Sequence, residues 1–216
     1  MSRQATPRGQ EAAASRKSAV IGSEDEYFAK TFQSLELAEQ TVSGKIFEEC
    51  TFKDCNFSGA VLKNCKFADC TFDSCNLSVL KLEESRFISV QFNGCKVVGI
   101  DWTRASWPRI PIYPQLEFRK CILNDSSFIG LKLEELVIED CKAHEADFRD
   151  GNFSRANFKG TDFQHSLFGK TILVAADFTE AVSYDIDILD NNIQKAKFSS
   201  AEALRLLSAL DIELVD

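Results

Sequence analysis

An apolar residue recurs at every fifth position from Tyr27 to Trp107, through Phe32, Leu37, Val42, Phe47, Phe52, Phe57, Leu62, Phe67, Phe72, Leu77, Leu82, Phe87, Phe92, Val97 and Trp102. A second run with the same period extends from Tyr113 to Phe198, and only Ser183 in it is polar. Of all the phenylalanines, Phe28 alone lies off the two runs. A period of five matches neither the helix period of about 3.6 nor the strand period of two, which excludes an amphipathic bundle and a conventional sheet. It suits a solenoid, in which a short unit is repeated along one axis.

The position two before each large residue is mostly small. It holds all eight cysteines, Cys50, Cys55, Cys65, Cys70, Cys75, Cys95, Cys121 and Cys141, and elsewhere Ala60, Ser85, Ser126, Ala146, Gly151, Ala156, Thr161, Ser166, Thr171, Ala176 and Ala181. The resulting unit, small-polar-large-polar-polar, is written out in ANFKG from Ala156 and ADFTE from Ala176. It resembles the pentapeptide-repeat family, A(D/N)LXX. That resemblance implies an all-β solenoid, a right-handed quadrilateral parallel β-helix in which four units make one twenty-residue coil and the large and small residues point inward. Residues twenty apart would then stack, Phe47 on Phe67 on Phe87 and Phe52 on Phe72 on Phe92, each buried ring contributing about 1.5–3 kcal/mol. Cys55, Cys75 and Cys95 would form another column. Cysteines on different sides of a coil do not converge on one metal ion, and parallel side-chain vectors oppose disulfides. They read as compact buried hydrophobes.

The formal charge of −8 disfavours a free nucleic-acid ligand, because phosphate binding needs clustered Lys and Arg, and points to a basic partner surface. No run is long and apolar enough for a membrane span, and the start MSRQATPRGQ lacks the apolar core of a secretory signal, so a cytoplasmic location is expected. Residues 1–22 carry a net +3 and have no apolar period; they are expected to be a disordered basic tail.

The periodicity divides the rest into an N-terminal half of the β-helix (23–107), a kink rich in proline (108–117), a C-terminal half (118–198) and a C-terminal helix and tail (199–216). The step from Trp107 to Tyr113 is six, read as one inserted residue, and Pro108, Pro111 and Pro114 crowd it. In SSAEALRLLSALD, Ser199 and Glu202 have capping-box spacing. The leucines that follow exceed what a single cap needs. Leu204, Leu206, Leu207, Leu210, Ile212 and Leu214 are therefore expected to form a homodimer interface through the C-terminus.

Nothing converges into a catalytic constellation. His144 and His165 fall on outward positions without an accompanying motif, and neither cofactor nor metal is expected; the chain reads as a binding protein, not an enzyme. The outward chemistry is acidic. Asp177, Glu180, Asp185, Asp187 and Asp190 follow one another with no basic residue between them. The segments CKFADCTFDSCNLS from Cys65, GIDWTRASWP from Gly99, FRKCILNDSSF from Phe118, YDIDILDNNIQKAKFS from Tyr184 and LLSALDIEL from Leu206 are similar to the albicidin-resistance pentapeptide proteins and, more loosely, to the Qnr and mycobacterial fluoroquinolone-resistance proteins. This resemblance implies a dimeric rod with the width and negative surface of B-DNA. Its partner would be DNA gyrase, possibly topoisomerase IV, protected from a topoisomerase poison, with the five acidic residues facing the enzyme. The insertion is too short for the long loops of Qnr. The other reading is a scaffold or regulatory protein with a non-topoisomerase partner.

Overall fold

The computed structural model describes residues 21–110, 114–210 and 212. Most of the expected basic tail, residues 111–113 of the kink, and the end of the chain with Leu214 lie outside the described residues.

Residues twenty apart, or twenty-six apart across one lengthened coil, pair in parallel register along four walls. Glu26–Phe28, Ile46–Glu48, Lys66–Ala68 and Arg86–Ile88 form one sheet. Thr31–Gln33, Thr51–Lys53, Thr71–Asp73, Val90–Asn93, Leu116–Arg119 and Val137–Glu139 form the second. Thr41–Ser43 pairs with Val61–Lys63 on the third wall. The fourth is joined by single parallel bridges that step through Glu36, Asn56, Asn76, Lys96, Ile122, Lys142, Asp162 and Val182. This is the quadrilateral parallel solenoid expected from the five-residue period.

The interior is built from the large residues. Tyr27, Phe47, Phe67 and Phe87 stack at centroid spacings of 5.1, 4.9 and 5.3 Å, and Phe32, Phe52, Phe72, Phe92 and Phe118 at 4.9, 4.6, 5.0 and 4.9 Å. These spacings lie at the short end of the range in which aromatic pairs attract. The pitch of the coil, set by backbone hydrogen bonds, thus matches the pitch of ring stacking.

The small residues contribute hydrogen bonds as well as compactness. The N–H of Cys55 donates to Cys75 Sγ, that of Cys75 to Cys95 Sγ, Cys95 to Cys121 Sγ, and Cys121 to Cys141 Sγ, at 3.2–3.4 Å. Each of these thiols donates in turn to a carbonyl, as Cys95 does to Phe72 O at 3.3 Å. Hydroxyls do the same elsewhere: Ser85 Oγ accepts from Cys65 N–H and donates to Leu62 O, and Thr161 Oγ1 accepts from Cys141 N–H and donates to Ile138 O. Cys, Ser and Thr are therefore alternatives at this position because each satisfies a buried N–H that faces inward. All eight cysteines are free thiols. Burial raises the pKa of Cys50 and Cys65 and pushes Cys70 up to about 12, which keeps them protonated.

Most corners turn on a left-handed residue; the one after Trp102 is instead a 3-10 turn, Trp102–Arg104. Apart from Ser183, every residue with positive φ stands two after a residue of the five-residue grid, and most are not glycine. Two kinds of corner share this feature. In one, three residues form a short strand with only the middle side chain buried, as in Thr51–Lys53. In the other, the carbonyl of the large residue accepts from the N–H three residues on, as Phe153 O does from Ala156 N–H, giving a tight turn with Arg155 at φ 59°.

The residue just before the large one biases the choice. Asn56, Asn76, Asp101, Asp147, Asn152, Asn157, Asp162, Asp177, Asp187 and Asn192 all accept, through Oδ1, the N–H two residues on at 2.7–3.2 Å. This is an Asx turn, in which the side chain replaces a backbone carbonyl. Where a strand of three or four residues forms, that position holds Thr, Ile, Val, Lys, Arg, Gln or Glu. Branched side chains favour the extended backbone, and none of the set offers the short Asx acceptor.

Two details of the sequence reading are corrected. Phe92 pairs with Phe118 and Asp101 with Ser127, whereas Phe72 pairs with Phe92 and Glu84 N–H still reaches Arg104 O. One coil therefore has six extra residues, not one. A five-residue grid counts length modulo five, so an insertion of six registers as a shift of one. On the second wall the ladder crosses this coil, Val90–Asn93 pairing with Leu116–Arg119, whereas among the described residues the first-wall sheet ends at Arg86–Ile88. The second correction is at Ser183, a corner residue with φ 58°; Tyr184, wholly buried, packs against Phe178 and Phe198 in its place.

Candidate functional site at the C-terminal end of the solenoid

The last coil is closed by Ser200–Ala203, an α-helix that continues as a 3-10 helix over Leu204–Leu210. The expected capping box between Ser199 and Glu202 does not form: Ser199 makes no side-chain cap bond. Ser199 Oγ instead accepts from Glu180 N–H at 2.8 Å, and Glu202 Oε2 accepts from Ser183 N–H at 3.2 Å. Both side chains reach back to the preceding coil. Its exposed N–H groups are better partners here, since they have no further coil to pair with. Glu202 also accepts from Arg205 Nε at 2.8 Å. Burial, then the nearby Glu202 carboxylate, raises the Tyr184 pKa to about 12, with Arg205 opposing.

The terminal apolar residues divide by direction. Leu206 is buried against the core and Leu207 is half-buried. Leu204, Leu210 and Ile212 are 59%, 39% and 53% exposed.

The five acidic residues also differ in state. Asp177 is largely covered and held by Thr179, by Lys159 Nζ at 3.5 Å and by Lys197 Nζ at 3.2 Å. Burial pushes its pKa up, but Thr179 and the two lysines pull harder and hold it at about 2. The lysines come from neighbouring coils, so a stretch without basic residues in sequence acquires them in space. Asp187 spends one oxygen on Leu189 N–H, and Asp190 accepts from Lys170 N–H at 3.1 Å. Glu180 and Asp185 are exposed, and among the described residues neither carboxylate makes an ion pair. Asp185 and Asp187 line an open groove with Gln164, His165, Leu167 and Arg205.

The histidines take different roles. His144 Nε2 bonds Asp162 Oδ2 at 2.8 Å across adjacent coils. Burial raises the Asp162 pKa, and the bonds from His144 and Ser183 bring the net shift below the usual carboxylate range. His165 is a left-handed corner residue, φ 59°. Among the described residues no group of three or more His, Cys, Asp or Glu is placed to hold a metal ion, and no helix is long and apolar enough to cross a membrane.

A four-walled parallel solenoid with a filled interior presents its chemistry only on its outer walls and ends, which defines a class of repeat proteins acting through surface. Within that class the chain belongs to the pentapeptide-repeat family: the profile described as Pentapeptide repeat region matches residues 45–113 and 114–178. Comparison with curated protein sequences finds no match. Among solved structures, a trypsin-treated form of QnrB1, titled a plasmid-mediated fluoroquinolone resistance protein, aligns with a TM-score of 0.58 and 24% identity over 88% of this chain and 92% of its own. A second trypsin-treated QnrB1 gives 0.59 and 22% over 86% and 100%, and the full-length protein 0.54 and 21% over 84% and 100%. At that identity the likeness is one of fold.

Proposed function

We propose that this chain is a topoisomerase-protection protein: a dimeric rod that occupies the place of DNA on DNA gyrase, and possibly on topoisomerase IV, and relieves a poison of the albicidin or fluoroquinolone type. The observation that carries the reading is the C-terminal end. Glu180, Asp185, Asp187 and Asp190 are exposed at the last coil, and the C-terminal segment bonded to that coil through Ser199 and Glu202 exposes Leu204, Leu210 and Ile212. Two copies joined through that apolar surface would double the negative charge at the centre of the rod, where a basic DNA-binding saddle complements it. Likeness in fold to QnrB1 supports the reading. Asp177, neutralised by two lysines, contributes to the wall and less to the partner.

The test is supercoiling by purified gyrase with and without albicidin or a fluoroquinolone. Restored supercoiling at protein concentrations comparable to gyrase is expected, with Glu180→Lys and Asp185→Lys together removing most of it. Absence of both rescue and inhibition over a broad concentration range rejects the proposal.

A further inference from the structure

Beside the six-residue insertion the wall carries an open pocket of about 400 Å³, lined among others by Trp107, Arg109, Gln115, Leu131 and Lys132. That volume lies within the range of small-ligand sites, about 300–1,000 Å³. Gln115 is 3% exposed, and its Oε1 is buried without a hydrogen-bond partner. The backbone carbonyl of Gln115 accepts from Val90 N–H at 2.9 Å, so the residue is anchored and its carboxamide oxygen is idle. Buried acceptors are seldom left so, because desolvation is then uncompensated.

The rest of the lining indicates what would satisfy it. Trp107 is half-buried, and its indole N–H donates to Trp102 O at 3.1 Å, which fixes the ring against the wall. Arg109 and Lys132 are exposed. Glu134, the carboxylate of this pocket, is already held by Arg155 at 2.7 Å and Asn152 at 3.3 Å. Among the described residues the two cations therefore stand without a counter-charge, beside an aromatic ring and an unused acceptor.

We propose that this pocket binds a planar aromatic carboxylate that also carries a hydrogen-bond donor. The ring packs on Trp107 and Leu131, the carboxylate meets Arg109 and Lys132, and the donor pairs with Gln115 Oε1 as the carboxamide turns toward the pocket. An acid without the donor leaves Gln115 unpaired, and a donor without the acid leaves the cations unused. The site shares no residue with the acidic C-terminal end, so its test stands apart from any topoisomerase.

The probe is 6-hydroxy-2-naphthoate, titrated into the full chain by calorimetry and followed by the two indole N–H resonances. Saturable binding is expected, with the Trp107 signal moving and that of the buried Trp102 staying. Both 2-naphthoate, which lacks the donor, and 2-naphthol, which lacks the acid, should bind about tenfold more weakly. Gln115→Leu should equalise 6-hydroxy-2-naphthoate and 2-naphthoate. Arg109→Ala with Lys132→Ala should equalise 6-hydroxy-2-naphthoate and 2-naphthol. The exposed pair leaves the fold intact and carries the test if Gln115→Leu does not fold. No saturable binding at millimolar probe, or affinities indifferent to these substitutions, overturns the proposal.

Discussion

The N-terminal coils turn many of their corners on three-residue strands, whereas the C-terminal coils turn most of theirs on tight turns, often fastened by an Asn or Asp side chain. The interior is the same kind in both: stacked rings and small residues that hydrogen-bond. The two halves thus separate two tasks that a five-residue unit performs. The large and small residues fix the coil, and the residue between them biases how the corner is made. Turn-making aspartates are also charged, so several carboxylates of the C-terminal half serve the fold before any partner is considered.

The largest expected effect tests whether the interior is common to both halves. Phe72→Ala in the N-terminal half and Phe148→Ala in the C-terminal half should each cost about 3–5 kcal/mol, since both rings are buried and stacked on neighbours at 4.6–5.2 Å. Denaturant unfolding measures both, and a loss below about 1 kcal/mol at either site would break the equivalence.

Next in size is acid sensitivity, which should be concentrated in the C-terminal half. Asp147, Asp162 and Asp177 all have lowered pKa values, Asp177 at about 2. A depressed carboxylate contributes stability that is fully present above its unfolded pKa, about 3.9, and lost as pH falls through the folded value. For Asp177 that contribution is about 2 kcal/mol and disappears between about pH 4 and pH 2. Hydrogen exchange over that window should show amides near 157–182 losing protection before those near 46–73, and Asp177→Asn should reduce the difference. Equal loss in both regions would remove the link between corner type and acid response.

The smallest effect isolates the corner itself. Asn152→Ala removes the acceptor for Ser154 N–H and should cost about 1 kcal/mol, while Thr51→Ala, on a strand corner with no such bond, should cost less. If Thr51→Ala proves the more costly in thermal unfolding, the side-chain bond is not what holds the turn.

Much of this was legible in the sequence. The period of five, the columns twenty apart and the small inward cysteines all follow from residue types at fixed spacing, because the solenoid repeats its contacts with its sequence. What escaped depends on neighbours that spacing does not reveal. The insertion of six looked like one because the grid registers only a remainder. Ser199 and Glu202 have the spacing of a cap, but the N–H groups of Glu180 and Ser183 on the previous coil claim both. Asp177 looked free until Lys159 and Lys197 arrived from adjacent coils. The Asx position was visible as a preference for Asp or Asn, yet its role in the turn emerged only from the bond to the N–H two residues on.

The lengthened coil has a consequence for how such rods diversify. Six additional residues lie between Arg104 and Leu116, yet Val90–Asn93 still pairs in register with Leu116–Arg119. A corner thus behaves as a socket: material grafted there need not be compatible with the interior, only with a short gap between its two ends. The loop-closure cost of a longer graft rises only logarithmically. The same rod can therefore acquire new surfaces one corner at a time, while selection on the core holds the register fixed.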